Sequence, residues 1–290
     1  LIYSRDEWKQ SVMADTFGDA RLRFVLGDVR DRDRLTYCMG GVNVVIHAAA
    51  LKRVDAIAYN PTEVLLTNVM GTHQVCMASI AARVGQVLTI SSDKAVHPSN
   101  MYGCTKQMAE HITVGANVGG VPRGTRLACV RYGNVLGSRG SVIQRFREQA
   151  ARGGSLELTD PMVTRFWITL SQACQLIMAA LKVMRGGEII LPKLPYATLP
   201  AMAEAVAPGV PWTVTGLRPG GEKIHERMLS DEEPSRTFDH GEYYLIAPSP
   251  HYWTADKWTG SLVPSTFTYQ SNSGYELSIQ EIRTMLAGVP

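Results

Sequence analysis

The sequence predicts an α/β fold, a doubly wound parallel sheet, on three observations. Short β-rich runs recur at 22–26, 42–47, 87–90, 127–132 and 188–191, and helical stretches at 30–39, 62–83, 101–114 and 170–184 lie between them. Strand alternating with helix indicates a parallel sheet covered on both faces. In the last helical stretch Ala173, Leu176, Ile177, Ala180, Leu181 and Met184 form one stripe of 3.6-residue period. The run Val87-Leu88-Thr89-Ile90 is apolar without alternation and reads as a buried strand.

The elements follow in order. Leu1-Ile2-Tyr3 reads as the tail of a strand, with Ser4-Arg5-Asp6 at its carboxyl end. The run from Asp28 to Arg34 alternates in sign and reads as the solvated first turn of a helix. After Pro192 the pattern changes: prolines crowd up to Pro219, and 230–264 is aromatic, polar and irregular. A smaller C-terminal α/β region built around a ligand is expected there. The division is 1–192 and 193–290, with an insert at about 133–168 that contacts substrate. Ser278-Ile279-Gln280-Glu281 is a capping box opening a final helix.

Bulk properties narrow the class. The chain has 290 residues, 45% apolar and 19% charged, ordinary values for a soluble globular enzyme. A net charge of +3 is too small to argue for nucleic acid, and no apolar run approaches a membrane span. The five cysteines form no CxxC pair, which fits reduced core thiols in a cytoplasmic protein. Cys104 is read as packing and not as a nucleophile.

The stretch from Ser91 to Lys106 carries the chemistry. Tyr102 and Lys106 are four positions apart and share one helix face. An ammonium beside a phenol favours the phenolate, which makes Tyr102 a base for an alcohol proton. Asp93 and Lys94 follow the buried strand directly, and ligands of parallel sheets bind at the carboxyl ends of strands. A carboxyl, two amines and a phenol therefore reach one edge. A solvated loop before an ordinary helix is the plainer reading, and the Asp-Lys pair at the strand end counts against it.

With Gly27-Asp28-Val29-Arg30-Asp31, His47-Ala48-Ala49-Ala50-Leu51-Lys52, Thr67-Asn68-Val69-Met70-Gly71, Arg131-Tyr132-Gly133-Asn134-Val135, Gly137-Ser138-Arg139-Gly140-Ser141 and Thr164-Arg165-Phe166-Trp167 added, the chain resembles an extended short-chain dehydrogenase/reductase. It is most similar to the UDP-N-acetylglucosamine 4,6-dehydratases, the soluble inverting kind that opens pseudaminic acid and related glycan pathways. The resemblance implies a Rossmann-like fold. Such a fold needs a first strand, a glycine-rich turn and a helix before its second strand, roughly 30 residues that this sequence does not supply. The chain is therefore expected to be a fragment.

Ser4 and Arg5 stand where an NAD-specific fold places an acid, and a hydroxyl with a guanidinium suits a 2′-phosphate. NADP is the expected cofactor, with Asp6 and Lys9 beside them. Asp28 and Val29 are expected at the adenine, and Ala48 and Ala50 at a close backbone approach. Val135, Tyr102 and Lys106 complete the cofactor set. The resemblance assigns Lys52, Asn134, Arg165, Arg218 and Glu222 to the sugar nucleotide, Glu222 near the uridine ribose. One departure bears on Glu222: the family's Arg-Pro-Gly-Glu-Lys carries an extra glycine here, as Arg218-Pro219-Gly220-Gly221-Glu222-Lys223. Asn68 is either a buried structural amide or a holder of water behind the tyrosine, with a lean to the second.

In the expected mechanism Tyr102 takes the 4-hydroxyl proton, Lys94 is the base at C5 and Asp93 the acid at the 6-hydroxyl. These roles require the Lys94 pKa to fall and the Asp93 pKa to rise. The partner is a UDP-sugar, with no nucleic acid, no membrane and no metal, and the resemblance implies a dimer or hexamer. Competing readings are a UDP-hexose 4-epimerase, which needs no Asp-Lys pair, and a non-catalytic NADP-binding scaffold or inactive fragment.

Overall fold

The computed structural model describes residues 1–138, 140–249 and 258–288. Arg139 of the glycine-rich 137–141 motif and residues 250–257 of the aromatic tail lie outside the described residues.

The first half of the chain alternates as its hydrophobic pattern requires. It runs β1 (Ile2–Ser4), α1 (Glu7–Phe17), β2 (Phe24–Leu26), α2 (Arg32–Cys38), β3 (Val44–His47), α3 (Val54–Tyr59) and α4 (Pro61–Val64). A π-helical turn, Leu65–Met70, joins α4 to α5 (Gly71–Ala81). Then come β4 (Gln86–Ser92), a 3-10 turn at Asp93–Ala95, α6 (Met101–Gly115), α7 (Asn117–Gly120), β5 (Arg126–Tyr132) and β6 (Asn134–Val135). The rest is α8 (Val142–Ala151), β7 (Leu156–Leu158), β8 (Thr164–Ile168), α9 (Leu170–Val183), β9 (Ile189–Pro192), β10 (Tyr196–Thr198), α10 (Leu199–Val206) and β11 (Trp212–Val214). It ends with β12 (Thr237–Asp239), β13 (Tyr243–Ile246), β14 (Ser261–Leu262) and α11 (Ile279–Leu286).

The main sheet has seven strands in the order β14-β12-β13-β9-β5-β4-β3. Strands β3, β4, β5 and β9 run parallel, while β13, β12 and β14 are antiparallel additions. These three additions come from beyond residue 192, so part of the C-terminal segment extends the sheet instead of standing apart from it. Six of the seven residues of β4 are buried, because Leu88 and Ile90 face one apolar layer and Val87 the other. Strands β1 and β2 form a separate parallel pair. Among the described residues β3 pairs only with β4, and Val44 and Ile46 on it are 40% and 47% exposed. The β1–β2 pair is held through Tyr3, Val29, Leu35 and Met39, which pack with Val75 and Cys76 of α5.

A second core gathers Phe146, Leu156, Leu158, Trp167, Met202 and Ile282, drawn from α8, β7, β8, α10 and α11. The capping box of α11 has both arms, Ser278 to the Glu281 backbone and Glu281 to the Ser278 backbone. Pro61–Ala81 is apolar and long enough to cross a membrane, yet most of its apolar stretch is buried inside the protein. It is a core helix. The cysteines are all free, but Cys104 and Cys174 are exposed, which corrects their reading as core thiols. Each lies on the solvent side of its amphipathic helix.

Candidate active site

The parallel strands deliver their carboxyl ends to one edge, and the chemistry-bearing residues collect there. Strand β4 ends at Ser92, whose hydroxyl caps the turn by accepting from the Lys94 amide at 3.3 Å. The cap fixes Asp93 and Lys94 at the strand end. Asn100 caps α6 by accepting from the Gly103 amide at 3.0 Å. Gly103 lets that helix lie against the turn, since a Cβ there would stand 2.4 Å from the Lys94 carbonyl oxygen. Tyr102 and Lys106 thus arrive on the helix that touches the turn bearing Asp93 and Lys94.

Asp93 is fully buried and Oδ1 accepts from Ser92 Oγ at 2.8 Å and from Lys94 Nζ at 2.9 Å. Its Oδ2 is buried with no hydrogen-bond partner. Burial pushes its carboxyl pKa up, against the pull of the Lys94 ammonium. Lys94 Nζ also donates to Asn134 Oδ1 at 2.9 Å and lies 3.7 Å from Glu226 Oε1. Burial acts to lower its pKa, but Asp93 and Glu226 outweigh burial and hold it above the ordinary value. This corrects the expected fall. The sequence shows Lys94 beside Asp93 but gives no sign that a second carboxylate reaches it.

The Tyr102–Lys106 relationship is also corrected. Lys106 is buried and its Nζ donates to the Ile90 carbonyl at 2.7 Å, with burial lowering its pKa to about 8. Tyr102 is pushed up to about 12 by burial, and the strongest pull downward is the Lys94 ammonium, followed by the Ser92 hydroxyl. The shared helix face is real, yet the amine that favours the phenolate is on the neighbouring turn. Ser92 is a residue the sequence reading missed; its only signal was a hydroxyl at the strand end.

A cavity of about 590 Å³ lies at the carboxyl ends of β1 and β2, lined by Ser4, Arg5, Asp6, Lys9, Val29, Ala50 and their neighbours, and its wall residue Leu51 is linked through Asn68 to Thr105 of α6. Arg5 is half exposed, 3.4 Å from Asp28 Oδ2. Asp28 is held mainly by Arg30, at 2.7 Å, which lowers its pKa. Asp6 caps α1 by accepting from the Lys9 amide at 2.9 Å, and Lys9 Nζ lies 2.5 Å from its carboxylate. Ala48 is exposed at the end of β3, just before the lining residues Ala49 and Ala50. Val135 is half-buried in β6, paired with Ile168 of β8. The π-helical turn places Asn68 against Leu51, bonding its amide at 2.8 Å and its carbonyl at 2.9 Å, with Thr105 Oγ1 at 3.1 Å. Asn68 thus braces the cavity wall through these bonds.

The expected sugar-nucleotide residues divide. Lys52 is exposed next to the site, and partial burial with the Lys94 charge lowers its pKa. Asn134 holds Lys94 and Arg218 is exposed. Arg165 is buried, 6% exposed, with Nη1 donating to the carbonyls of Thr164 and Ile224 and Nη2 to Glu222 Oε1 at 2.8 Å. Here its guanidinium holds Glu222 in place. The extra glycine is accommodated. Gly221 has φ +98°, a Cβ there would lie 2.0 Å from the Ser99 carbonyl oxygen, and its own carbonyl accepts from Asn100 Nδ2 at 3.0 Å. Only glycine fits that contact. The insertion docks the loop on the cap of α6 and leaves Glu222 bonded to Arg165 and, at 3.3 Å, to the Arg218 amide.

Comparison with known proteins adds the family. Residues 1–248 match the family described as polysaccharide biosynthesis protein. Two proteins of Campylobacter jejuni, each named UDP-N-acetylglucosamine 4,6-dehydratase (inverting), are similar. One is 41% identical, covering 86% of this chain and 75% of its own. The other is 39% identical, covering 94% and 84%. A Rickettsia prowazekii protein named UDP-glucose 4-epimerase is 34% identical over 98% of this chain and 85% of its own length. The solved structure of Pen from Bacillus thuringiensis is 33% identical, with a TM-score of 0.89 over 98% of this chain and 88% of that one. The strand-end Asp93–Lys94 pair, the helix bearing Tyr102 and Lys106, and these matches together place the chain in the polysaccharide biosynthesis protein family, among the extended short-chain dehydrogenase/reductases.

Proposed function

We propose that the protein removes water from UDP-N-acetylglucosamine, giving a UDP-4-keto-6-deoxy-hexosamine with inversion at C5. The observation that carries this reading is the Asp93–Lys94 pair, hydrogen-bonded at 2.9 Å beside Tyr102. Removing a C5 proton and a C6 hydroxyl needs a neutral base and a protonated acid. That state has the same number of protons as the ion pair; one proton has moved from Lys94 Nζ to Asp93. Burial of Asp93 favours the uncharged arrangement, and its unpartnered Oδ2 is free to donate to a leaving hydroxyl. The names of the two Campylobacter relatives support the reading.

The residues at the cavity fit a nicotinamide dinucleotide. The small side chains of Ala49 and Ala50 allow close approach, and Arg5 and Lys9 supply positive charge at the mouth. We assign Ser4, Arg5 and Lys9 to a 2′-phosphate, which makes the cofactor NADP. Bound there, the nicotinamide supplies a temporary hydride acceptor, so dehydration needs no net oxidation. Tyr102 accepts the 4-hydroxyl proton, helped by the Lys94 ammonium and the Ser92 hydroxyl. We assign Lys106, whose Nζ donates to the Ile90 carbonyl, to the nicotinamide ribose. Arg218, Lys52 and Glu222 serve the sugar nucleotide, with Arg165 positioning Glu222. The sheet then carries the cofactor and the second core the substrate. The same reading implies a cytoplasmic homo-oligomer, dimer or hexamer, in pseudaminic acid or other surface-glycan synthesis.

Incubation of the full-length protein with UDP-N-acetylglucosamine and NADP tests this by mass spectrometry. A product lighter by one water supports it. A product of unchanged mass and altered C4 configuration makes the protein an epimerase. No product although NADP binds leaves a non-catalytic NADP-binding scaffold.

A further inference from the structure

Lys94 is faced from several elements, and one of the groups facing it has no assigned part. Asp93 comes from its own turn, Tyr102 from α6, Asn134 from β6, Arg165 from β8 and Lys52 from the segment after β3. Glu226, 3% exposed, comes from the segment after the Arg218–Lys223 loop. Its Oε1 is 3.7 Å from Lys94 Nζ and 3.9 Å from Arg165 Nε, and its Oε2 is 2.9 Å from Lys223 Nζ. One buried carboxylate is shared among three cations. Burial alone would raise its pKa, but Lys94, Arg165 and Lys223 pull it down to about 2, so it is charged wherever the enzyme works.

We propose that Glu226 is a positioning residue that holds the Lys94 ammonium beside Asp93 and Asn134 and sets how readily that amine gives up its proton. The assignment rests on the reading of Lys94 as the C5 base. With Asp93 as its only carboxylate, a half-buried lysine would more readily pass its proton across at rest and leave a free amine with no substrate to act on. A second, permanently charged carboxylate opposes that transfer. Its grip is limited, because the 3.7 Å contact is longer than a hydrogen bond and Lys223 takes the closer one. Lys223 also donates to the Val96 carbonyl at 2.7 Å, in the strap between the catalytic turn and α6. Glu226 and Lys223 therefore form a pair of opposing controls on Lys94: the carboxylate raises its proton affinity and the second amine moderates that effect.

The two controls give shifts of opposite sign, which misfolding or loosened packing would not. Lys94 is 26% exposed in its side chain, so its titration can be followed by competitive acetylation with acetic anhydride, read by mass spectrometry across pH. In Glu226→Gln the Lys94 midpoint falls by about one pH unit or more, the effect of deleting an opposite charge at this range. In Lys223→Met it rises. The acid limb of the kcat–pH profile with UDP-N-acetylglucosamine moves the same way in each variant. An unchanged midpoint in Glu226→Gln, or shifts of the same sign in both, overturns the assignment. If Glu226→Gln does not fold, Lys223→Met decides: a rise supports the proposal and no rise overturns it. Opposite shifts in a protein that releases no water from UDP-N-acetylglucosamine would sink the dehydratase reading while leaving the Glu226–Lys94 link standing.

Discussion

Arg131 grips both carboxylate oxygens of Glu110, with Nε 2.9 Å from Oε1 and Nη2 2.6 Å from Oε2. The fork ties β5 to α6, the helix that carries Tyr102 and Lys106. Glu233 closes the other side of the guanidinium at 3.0 Å, so the C-terminal segment is fastened to the same point. All three groups are nearly inaccessible to water. Losing the guanidinium would leave the Glu110 and Glu233 carboxylates buried and uncompensated, at a cost of about 3–5 kcal/mol. Arg131→Met is therefore expected to lose stability of that order in urea denaturation. A loss below about 1 kcal/mol, the range of an exposed pair, would contradict the assignment.

Gly221 gives a local test of how the loop is held. A methyl group there meets the Ser99 carbonyl at 2.0 Å, and φ +98° is strained for any other residue. The loop must lift from the cap of α6, at a cost on the order of 1–3 kcal/mol. Gly221→Ala is expected to raise KM for the UDP-sugar about tenfold, with a smaller change in kcat, because Arg218 and Glu222 ride on that loop. An unchanged KM would mean the loop contact does not position them.

The proposed cofactor choice is tested at Arg5. Its guanidinium is half exposed and only loosely engaged with Asp28, at 3.4 Å, so it is free to turn to a phosphate. Arg5→Ala is expected to weaken NADP binding by about 1.5–3 kcal/mol, the worth of a hydrogen bond to a charged group. NAD binding should change little. Calorimetry with both dinucleotides checks this, and equal losses would remove Arg5 from the 2′-phosphate.

Lys106 makes stability depend on pH. Burial lowers its pKa from 10.5 to about 8 in the folded protein. Between those values the unfolded chain holds more protons than the folded one, so this residue's contribution to stability rises with pH. Below about pH 8 both states carry the charge and the cost of burying it is fully felt. Lys106→Met is expected to flatten the rise in stability between pH 8 and 10 relative to the native protein, seen in urea midpoints. An equal slope in both would mean the amine is not desolvated as described.

Much of the fold was legible because the elements that form the sheet are long or continuous in pattern. The helix expected at 170–184 is Leu170–Val183, and the run at 87–90 is the center of Gln86–Ser92, buried as its apolar pattern requires. The antiparallel strands β12, β13 and β14 were not legible, since their pairing with β9 depends on contacts across a proline-rich segment and not on local pattern. In the candidate site, the clustering of Asp93, Lys94, Tyr102 and Lys106 was legible because they lie close in sequence around one strand end. Their ionisation was not, because Glu226 and the Ile90 carbonyl act only through the tertiary fold. Arg165 shows the same limit: an arginine in a motif resembling a substrate site turns inward once Glu222 is brought beside it.

The division of labour at the strand end is tested by Lys94→Ala in D₂O. Loss of the proposed C5 base is expected to cost about 10²–10⁴-fold in dehydrated product, the usual contribution of a general acid–base group. NADP affinity should stay near the native value. Full turnover with normal deuterium at C5 would remove Lys94 from the mechanism.

The central claim is that the sugar is oxidised at C4 and reduced at C6 within one site, with water lost between. UDP-N-acetylglucosamine carrying deuterium at C4 tests it most directly, with the native protein in ordinary water. The account predicts a product lighter by one water, with the deuterium at C6 and a solvent proton at C5. Deuterium retained at C4, in a product of unchanged mass and altered C4 configuration, would contradict it.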